Sequence, residues 1–158
     1  MKRRAFTFGF TLIELMIVMT VVVFIFGGSI AAFLKFNSTQ SLLNDARQVS
    51  SELNRARTMA ASQQYPTGCI SLKGVSVTSD VNMTGMTVTT RCGSGNFPGE
   101  VNKILTSSIF ISSVDITFLP GSGYVSDGAD KEIKIQDGSS PPAIKTVVVG
   151  TYGLISIL

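Results

Sequence analysis

Residues 9–34 read GFTLIELMIVMTVVVFIFGGSIAAFL and follow a short basic head at residues 1–4. Glu14 carries the only ionisable side chain in this run. As an α-helix the run would extend about 37 Å, which is enough to cross a bilayer core of roughly 30 Å with some tilt. The sequence therefore predicts a membrane segment near the start of the chain.

Glu14 distinguishes between three interpretations of this segment. A cleaved secretory signal would explain the basic head and the small residues between 27 and 32. A plain N-terminal anchor would explain the length. Neither accounts for a carboxylate just inside the apolar run, where an acid costs roughly 2.5–3.5 kcal/mol on insertion scales. Such a carboxylate indicates a function and requires a partner.

The third interpretation supplies that partner. The hexapeptide at residues 9–14, GFTLIE, combines with the basic head and the apolar run, and together they resemble the type IV prepilin signal. The resemblance implies that a prepilin peptidase cuts between Gly9 and Phe10 on the cytoplasmic side and N-methylates the new terminus. The amine of Phe10 would then lie about one helical turn before Glu14, so these two groups are the expected assembly residues.

The distribution of charge predicts the orientation of the chain. The formal charge is +3, but Lys2, Arg3 and Arg4 all lie in the leader, so the mature chain is balanced. A basic head stays cytoplasmic by the positive-inside rule, which sends the following domain outward. The balanced mature chain offers no argument for binding nucleic acid or anionic lipid. We therefore expect a single-pass inner-membrane protein with one small extracytoplasmic head.

Past residue 34 the helical pattern changes from apolar on all sides to one apolar stripe. No proline occurs between Phe10 and Gln64, so the simplest structure is one helix of roughly 50 residues. The pair Gly27-Gly28 is its weak point, and it allows either local bending or close packing of helices. The stripe consists of Leu42, Ala46, Val49, Leu53, Ala56 and Ala60, and the remainder is filled by Asp45, Arg47, Gln48, Glu52, Asn54 and Arg57.

From Pro66 onward the chain reads as strands separated by Gly, Pro, Asn and Asp. The last two strands flank a tight hairpin at residues 150–153. The expected fold class is α+β, with a long N-terminal helix packed on a C-terminal antiparallel sheet; this is also the pilin architecture that the resemblance implies. The predicted strands are 69–72, 75–78, 86–91, 108–119, 131–136, 144–149 and 154–158. The predicted domains are a leader at 1–9, an apolar helix at 10–34, an amphipathic helix at 35–64 and a β-rich head at 65–158.

Cys69 and Cys92 are the only cysteines. Two cysteines in an oxidising compartment can pair, which favours a disulfide over two free thiols. A bridge would close a loop of about two dozen residues and add around 3 kcal/mol in the chain-entropy model.

Three segments indicate a branch within the pilins. Residues 53–61, 115–123 and 145–155 resemble GspH/FimT-type proteins, which are minor pseudopilins of type II secretion and minor pilins of type IV pili. The resemblance implies a low-copy subunit that helps to prime or cap a filament. Its expected partners are other pilin subunits, prepilin peptidase, the inner-membrane assembly platform and, before assembly, membrane lipid. A major pilin, polymerised in many copies, is the alternative.

Enzymatic functions find little support in the sequence. The chain has no histidine, which excludes Ser-His and Cys-His arrangements and ordinary zinc sites within this chain alone. No glycine-rich phosphate loop follows a predicted strand. We assign no catalytic residue and expect no cofactor. A candidate calcium site at Asp127, Asp130, Glu132 and Asp137 lacks the spacing of a known calcium loop, and a solvated acidic turn is the alternative.

DNA uptake is a further alternative, because some minor pilins of this type take up DNA. It would require basic side chains gathered on one face of the head. Lys131, Lys134 and Lys145 could gather near the C-terminal strands, but acidic residues are their neighbours in the sequence. Nucleic acid is therefore not an expected partner.

Overall fold

A computed structural model describes residues 11–64 and 66–158. The predicted processing residues Gly9 and Phe10 lie outside the described residues. The chain divides into two compact units with the boundary between Asn37 and Ser38.

Helix α1 spans Leu12–Ala61, and its 50 residues confirm the predicted length. It ends earlier than residue 64, because Gln63 adopts a left-handed conformation with φ of 53°. The backbone N of Gln63 donates to the carbonyl of Ala60 at 3.2 Å, and the N of Gln64 donates to the carbonyl of Met59 at 2.9 Å. These two bonds form a Schellman motif, which satisfies the last carbonyls of the helix before Pro66 is reached.

The apolar stripe of the second half of α1 is buried, as predicted. Its six residues from Leu42 to Ala60 are each no more than 2% exposed. They form one core cluster with inward-facing residues of the strands, including Val75, Phe118 and Ile135. Periodic apolar residues on a helix therefore position the head around residues 42–60.

Within the described residues the head contains eight strands in two antiparallel sheets, whereas one sheet was predicted. The first sheet has the order β3-β2-β1-β5, and the second has the order β4-β6-β7-β8. The strands are β1 (Leu72–Ser79), β2 (Gly85–Cys92), β3 (Gly95–Lys103), β4 (Ser108–Phe110), β5 (Asp115–Phe118), β6 (Lys131–Asp137), β7 (Ile144–Val149) and β8 (Ile155–Ile157).

Three strand predictions are corrected. The predicted strand 108–119 is two strands, β4 and β5, which belong to different sheets because the chain turns away between them. The two predicted strands 69–72 and 75–78 are one strand, β1, which begins at Leu72 and ends at Ser79. Strand β3 was missed because Gly95, Pro98 and Gly99 read as a turn. It lies at the edge of its sheet, where a proline is tolerated because one side of the backbone has no ladder to complete.

Two predicted connections are confirmed. Cys69 and Cys92 form a disulfide with a Cα–Cα distance of 5.5 Å, which joins the segment after α1 to the end of β2. A tight hairpin connects β7 and β8, where the N of Gly150 donates to the carbonyl of Leu154 at 2.8 Å. Gly153 has φ of 76°, and a Cβ there would collide with the carbonyl oxygen of Gly123. Glycine is therefore required at that turn.

Candidate functional site

The first half of α1 presents apolar side chains that the described chain does not bury. The large hydrophobic residues between Leu12 and Phe26 are exposed by 38% to 83%. The helix is long and apolar enough to cross a membrane, with a mean hydropathy of 2.5 in its most apolar window. An apolar surface of this extent indicates contact with lipid or with other protein chains.

One polar side chain in this half is satisfied within the helix. The hydroxyl of Thr20 donates to the carbonyl oxygen of Ile17 at 2.8 Å and lies 3.1 Å from that of Met16. A hydroxyl bonded to its own helix backbone is compatible with an apolar environment. Thr20 therefore requires no external partner, unlike a carboxylate.

Glu14 lies in the first turn of α1. Its backbone N donates to Oγ1 of Thr11 at 3.3 Å, so Thr11 is the N-cap and Glu14 stands three residues into the helix. Threonine followed three residues later by glutamate is the capping-box pattern. Sequence reasoning missed this local role, although the pattern Thr11-x-x-Glu14 could have shown it.

The position of Glu14 in the first turn of α1 offsets only part of the cost of placing its carboxylate in an apolar run. The hydrogen bond to Thr11 does not involve this carboxylate, and an acid at a helix N-terminus contributes only about 0.3–1 kcal/mol at an exposed site. A carboxylate at the centre of a bilayer costs roughly 2.5–3.5 kcal/mol on membrane-insertion scales. A position near the helix end lowers that cost, but a charged partner would still stabilise Glu14 further.

Asp45 is a buried anchor between α1 and the sheets, although the sequence analysis placed it on the polar side. It is only 2% exposed. Its carboxylate accepts hydrogen bonds from the backbone N of Thr106 at 3.2 Å, the backbone N of Ser107 at 3.1 Å and Oγ of Ser108 at 2.6 Å. The spacing of Asp45 from the stripe residues Leu42 and Val49 would have predicted the inward face.

The acidic residues considered for calcium have separate partners. Asp127 forms an ion pair with Lys131, and the hydrogen bond from Lys131 is the main cause that lowers the pKa of Asp127. Asp130 accepts hydrogen bonds from the backbone N of Thr151 at 2.7 Å and from its Oγ1 at 2.9 Å. These bonds, the backbone one first, lower the pKa of Asp130.

The other two acidic residues, Asp137 and Glu132, also have separate partners. Asp137 is buried and accepts from Oγ of Ser139 at 2.7 Å and from the N of Ala143 at 2.8 Å, and the Ser139 bond is the main cause that lowers its pKa. Glu132 pairs with Lys134 at 3.1 Å. Among the described residues no three acidic or cysteine side chains are placed to share a metal ion. The structure thus does not bring the candidate calcium ligands together.

The register of the second sheet separates the three lysines considered for DNA binding. Lys134 pairs with Thr146, and Lys145 pairs with Ile135. Because side chains alternate along a strand, Lys131 and Lys145 belong to one face of the sheet and Lys134 to the other. Lys131 and Lys134 also form ion pairs with acidic neighbours. No basic face is built from these residues.

This chain resembles known proteins in its three-dimensional structure. No protein-family model matches the sequence, and no curated protein matches it. Two crystal structures of the type IV minor pilin FimU from Pseudomonas aeruginosa strain PAO1 are similar to this chain. The form in space group P65 has 18% identity and a TM-score of 0.54, and it covers 74% of this chain and 92% of that chain. The form in space group P21 has 17% identity and a TM-score of 0.57, with 78% and 92% covered. This chain has the fold of a type IV minor pilin.

The minor-pilin fold confirms the expected α+β class of a long N-terminal helix with an antiparallel head. At this level of identity the similarity concerns the fold. The roles of Gly9, Phe10 and Glu14 therefore remain predictions, and the described part of the minor-pilin fold adds two observations that bear on them. These are the exposed apolar half of α1 and the position of Glu14 in its first turn.

Proposed function

We propose that this chain is a structural subunit, a minor pilin or pseudopilin, of a type IV pilus or a type II secretion pseudopilus. One observation carries the proposal: a head of minor-pilin fold follows an apolar helical segment that the described chain leaves exposed and that contains a single carboxylate near its start. We propose a structural role and no enzymatic one.

The proposed life cycle begins in the inner membrane. The basic head stays in the cytoplasm, the apolar helix spans the lipid and the head lies outside. Prepilin peptidase cuts after Gly9 and N-methylates Phe10. The assembly platform then moves the subunit from the membrane into a periplasmic or cell-surface filament with other pilin subunits. The same apolar surface serves first in lipid and then in the filament core.

In the proposed assembly step the carboxylate of Glu14 pairs with the terminal amine of Phe10 of a neighbouring subunit. Both groups are costly to bury alone, and their attraction offsets that cost when they meet. A bundle of apolar helices offers little resistance to sliding, so one charge pair at a fixed position would set the axial register. The Thr11 cap leaves this carboxylate available, because the bond uses the backbone N of Glu14.

The decisive test replaces Glu14 by leucine in the full chain. We expect normal processing but at least about a tenfold loss of incorporation into sheared filaments, because a pairing worth about 1.4 kcal/mol or more is removed. Val21→Leu in the exposed apolar half is the matched control and should incorporate normally. If Glu14→Leu is processed and incorporated at the wild-type level, the pairing mechanism is wrong.

A second test concerns the terminus and the copy number. Mass spectrometry of the mature protein should find methylated Phe10 as the first residue. An intact Met1, or a terminus near Ala32 or Phe33, would instead favour the anchor or the secretory-signal interpretation. Quantification in sheared filaments should find trace amounts, because a minor subunit is expected; high abundance would indicate a major pilin.

A further inference from the structure

The sheets of the head end in four edge strands, and three of these are protected. Edge β5 is covered by the segment that follows it, through a bridge between Phe118 and Val125. Edge β4 receives the carbonyl of Met83, to which the N of Phe110 donates at 2.9 Å. Edge β3 contains Pro98 and an irregular register. Covering segments, prolines and irregularities are devices that prevent a sheet edge from pairing with another chain.

Edge β8 is short, with three residues, but within the described part of the chain it has no covering segment, proline or irregular register. The N of Leu158 donates to the carbonyl of Thr146 at 2.9 Å, and the N of Gly150 donates to the carbonyl of Leu154 at 2.8 Å. Bonded and non-bonded pairs alternate in an antiparallel ladder, so Ile155 and Ile157 direct their backbone N–H and C=O groups away from β7. Ile155 and Ile157 are two positions apart in the strand, and both thus offer backbone donors and acceptors that β7 does not use.

The outward face of the second sheet also becomes less polar toward β8. On this face β6 carries Glu132, Lys134 and Gln136, whereas the side chains of β7 and β8 are uncharged. The exposed fractions are 53% for Ile144, 72% for Leu154 and 71% for Leu158. Tyr152, 70% exposed in the adjoining turn, contacts Tyr124 with ring centroids 5.3 Å apart. Cross-strand neighbours on this face form three rows. The rows are Glu132, Val148 and Ser156; Lys134, Thr146 and Leu158; and Gln136 and Ile144.

We propose that β8 is a docking edge at which the head of the neighbouring filament subunit adds an antiparallel strand to the second sheet. The proposal rests on the proposed function, because the occupant is a filament subunit. The added strand would exchange backbone hydrogen bonds with Ile155 and Ile157, and its outward side chains would lie against Leu154 and Leu158. The matching strand is therefore uncharged and apolar on that face, since residues 146–158 contain no charged side chain.

The small size of the edge identifies a tethered occupant. A strand of three residues can bury far less surface than the roughly 800 Å² per partner that a specific complex buries on its own. Two subunits already held together by their N-terminal helices have a high effective concentration, and a weak second contact is then sufficient. A free second copy in solution lacks this advantage. A lipid or small ligand would not match main-chain groups that repeat along a strand.

The test uses the full chain in cells that assemble the filament. A benzophenone amino acid replaces Leu158 at the edge, and a second variant carries it at Glu132 on β6, two strands away on the same face. We expect Leu158 adducts to another subunit in sheared filaments and no such adduct from Glu132. Detergent-solubilised, unassembled protein should give no adducts.

A backbone variant tests strand addition itself. Ile157→Pro removes an N–H that the β7 ladder does not use, and an edge strand tolerates proline at such a position. Loss of one hydrogen bond should lower the adduct yield about fivefold or more, whereas Ile157→Val should preserve it. Leu154→Lys is a second variant that leaves the backbone intact and should lower the yield through the side-chain contact. An unchanged unfolding midpoint verifies that each variant folds.

The outcomes separate this inference from the proposed function. If the protein is incorporated into filaments but Leu158 gives no adduct, or adducts that neither Ile157→Pro nor Leu154→Lys reduces, the docking edge is wrong and the filament role stands. Adducts that form equally in unassembled protein would show a free dimer and overturn the stated occupant. Absence of the protein from filaments would overturn both.

Discussion

The two halves of α1 belong to one continuous helix and have opposite surroundings. In residues 38–61 an apolar stripe is buried against the sheets, and in residues 12–27 apolar side chains are exposed on all sides. Helical periodicity produces a stripe only where one face meets a core and the other meets water. Because residues 12–27 show no such stripe, their surroundings lie outside the part of the chain that the structure describes.

The largest expected effect contrasts one leucine from each half. Leu53→Ala should lower the free energy of unfolding of the head by about 2–5 kcal/mol, because Leu53 is fully buried and its removal leaves a cavity. Leu15→Ala should leave head stability unchanged within about 0.5 kcal/mol, since Leu15 is exposed. Denaturant unfolding of the full chain in detergent measures both. Equal losses would mean that residues 12–27 contribute to the core of the head.

Removal of the disulfide should have the next largest effect. The Cys69–Cys92 bridge spans 23 residues, and its loss should lower the free energy of unfolding by about 3 kcal/mol in the chain-entropy model. The double variant Cys69→Ser/Cys92→Ser avoids a lone reactive thiol. Its unfolding midpoint should shift, whereas the membrane association of residues 12–34 should not change. A shift in membrane association would indicate that the bridge stabilises more than the head.

The sequence predicted the helix well because its signals are local. The stripe from Leu42 to Ala60 and the absence of proline determined α1, and residues 9–14 carried the resemblance that led to the pilin architecture. The strands were harder to predict, because the chain between Ser108 and Phe118 contains no glycine or proline to mark a break, and only tertiary contacts divide it between two sheets. Strand β3 was missed since the sequence does not show that Pro98 lies at an edge.

Some candidate site residues can be recognised from the sequence pattern alone, whereas others depend on packing. Glu14 is conspicuous as one charge in an apolar run. Asp45 was predicted to lie on the solvent-exposed face of α1, because residues 106–108, which donate hydrogen bonds to its carboxylate, are distant in the sequence. The open edge of β8 depends on the register with β7, which periodicity alone does not give.

Asp45→Ala should come third. Its carboxylate accepts three hydrogen bonds from residues 106–108 in a buried position, and its loss leaves backbone N–H groups without acceptors. We expect a loss of about 1–3 kcal/mol in the free energy of unfolding. Gln48→Ala, on the exposed side of the same helix, is the control and should have almost no effect. A neutral Asp45→Ala would show that water replaces the carboxylate at no cost.

Low pH should destabilise the head by protonating Asp80, whose carboxylate accepts hydrogen bonds from the backbone N of Thr84 and Gly85. The backbone N–H of Gly85 is the largest cause that lowers the pKa of Asp80, which also accepts from the N of Thr84 at 2.8 Å. A lowered folded-state pKa means that this stabilisation is complete above the ordinary carboxyl value and is lost as pH falls through the folded value. Asp80→Asn should therefore flatten the fall in unfolding midpoint below that ordinary value. An unchanged profile would contradict a role for Asp80.

The smallest expected effect separates the two roles of Glu14. Thr11→Ala removes the N-cap, which should cost about 1 kcal/mol locally and unwind part of the first turn, yet it leaves the Glu14 carboxylate and the Phe10 amine in place. Incorporation into filaments should therefore stay within about fivefold of wild type, the factor that 1 kcal/mol allows, while Glu14→Leu loses more. The measurement is the ratio of filament-bound to membrane-held protein for each variant. If Thr11→Ala and Glu14→Leu lower that ratio equally, Glu14 acts by starting the helix, and the first half of α1 needs no charged partner in a neighbouring subunit.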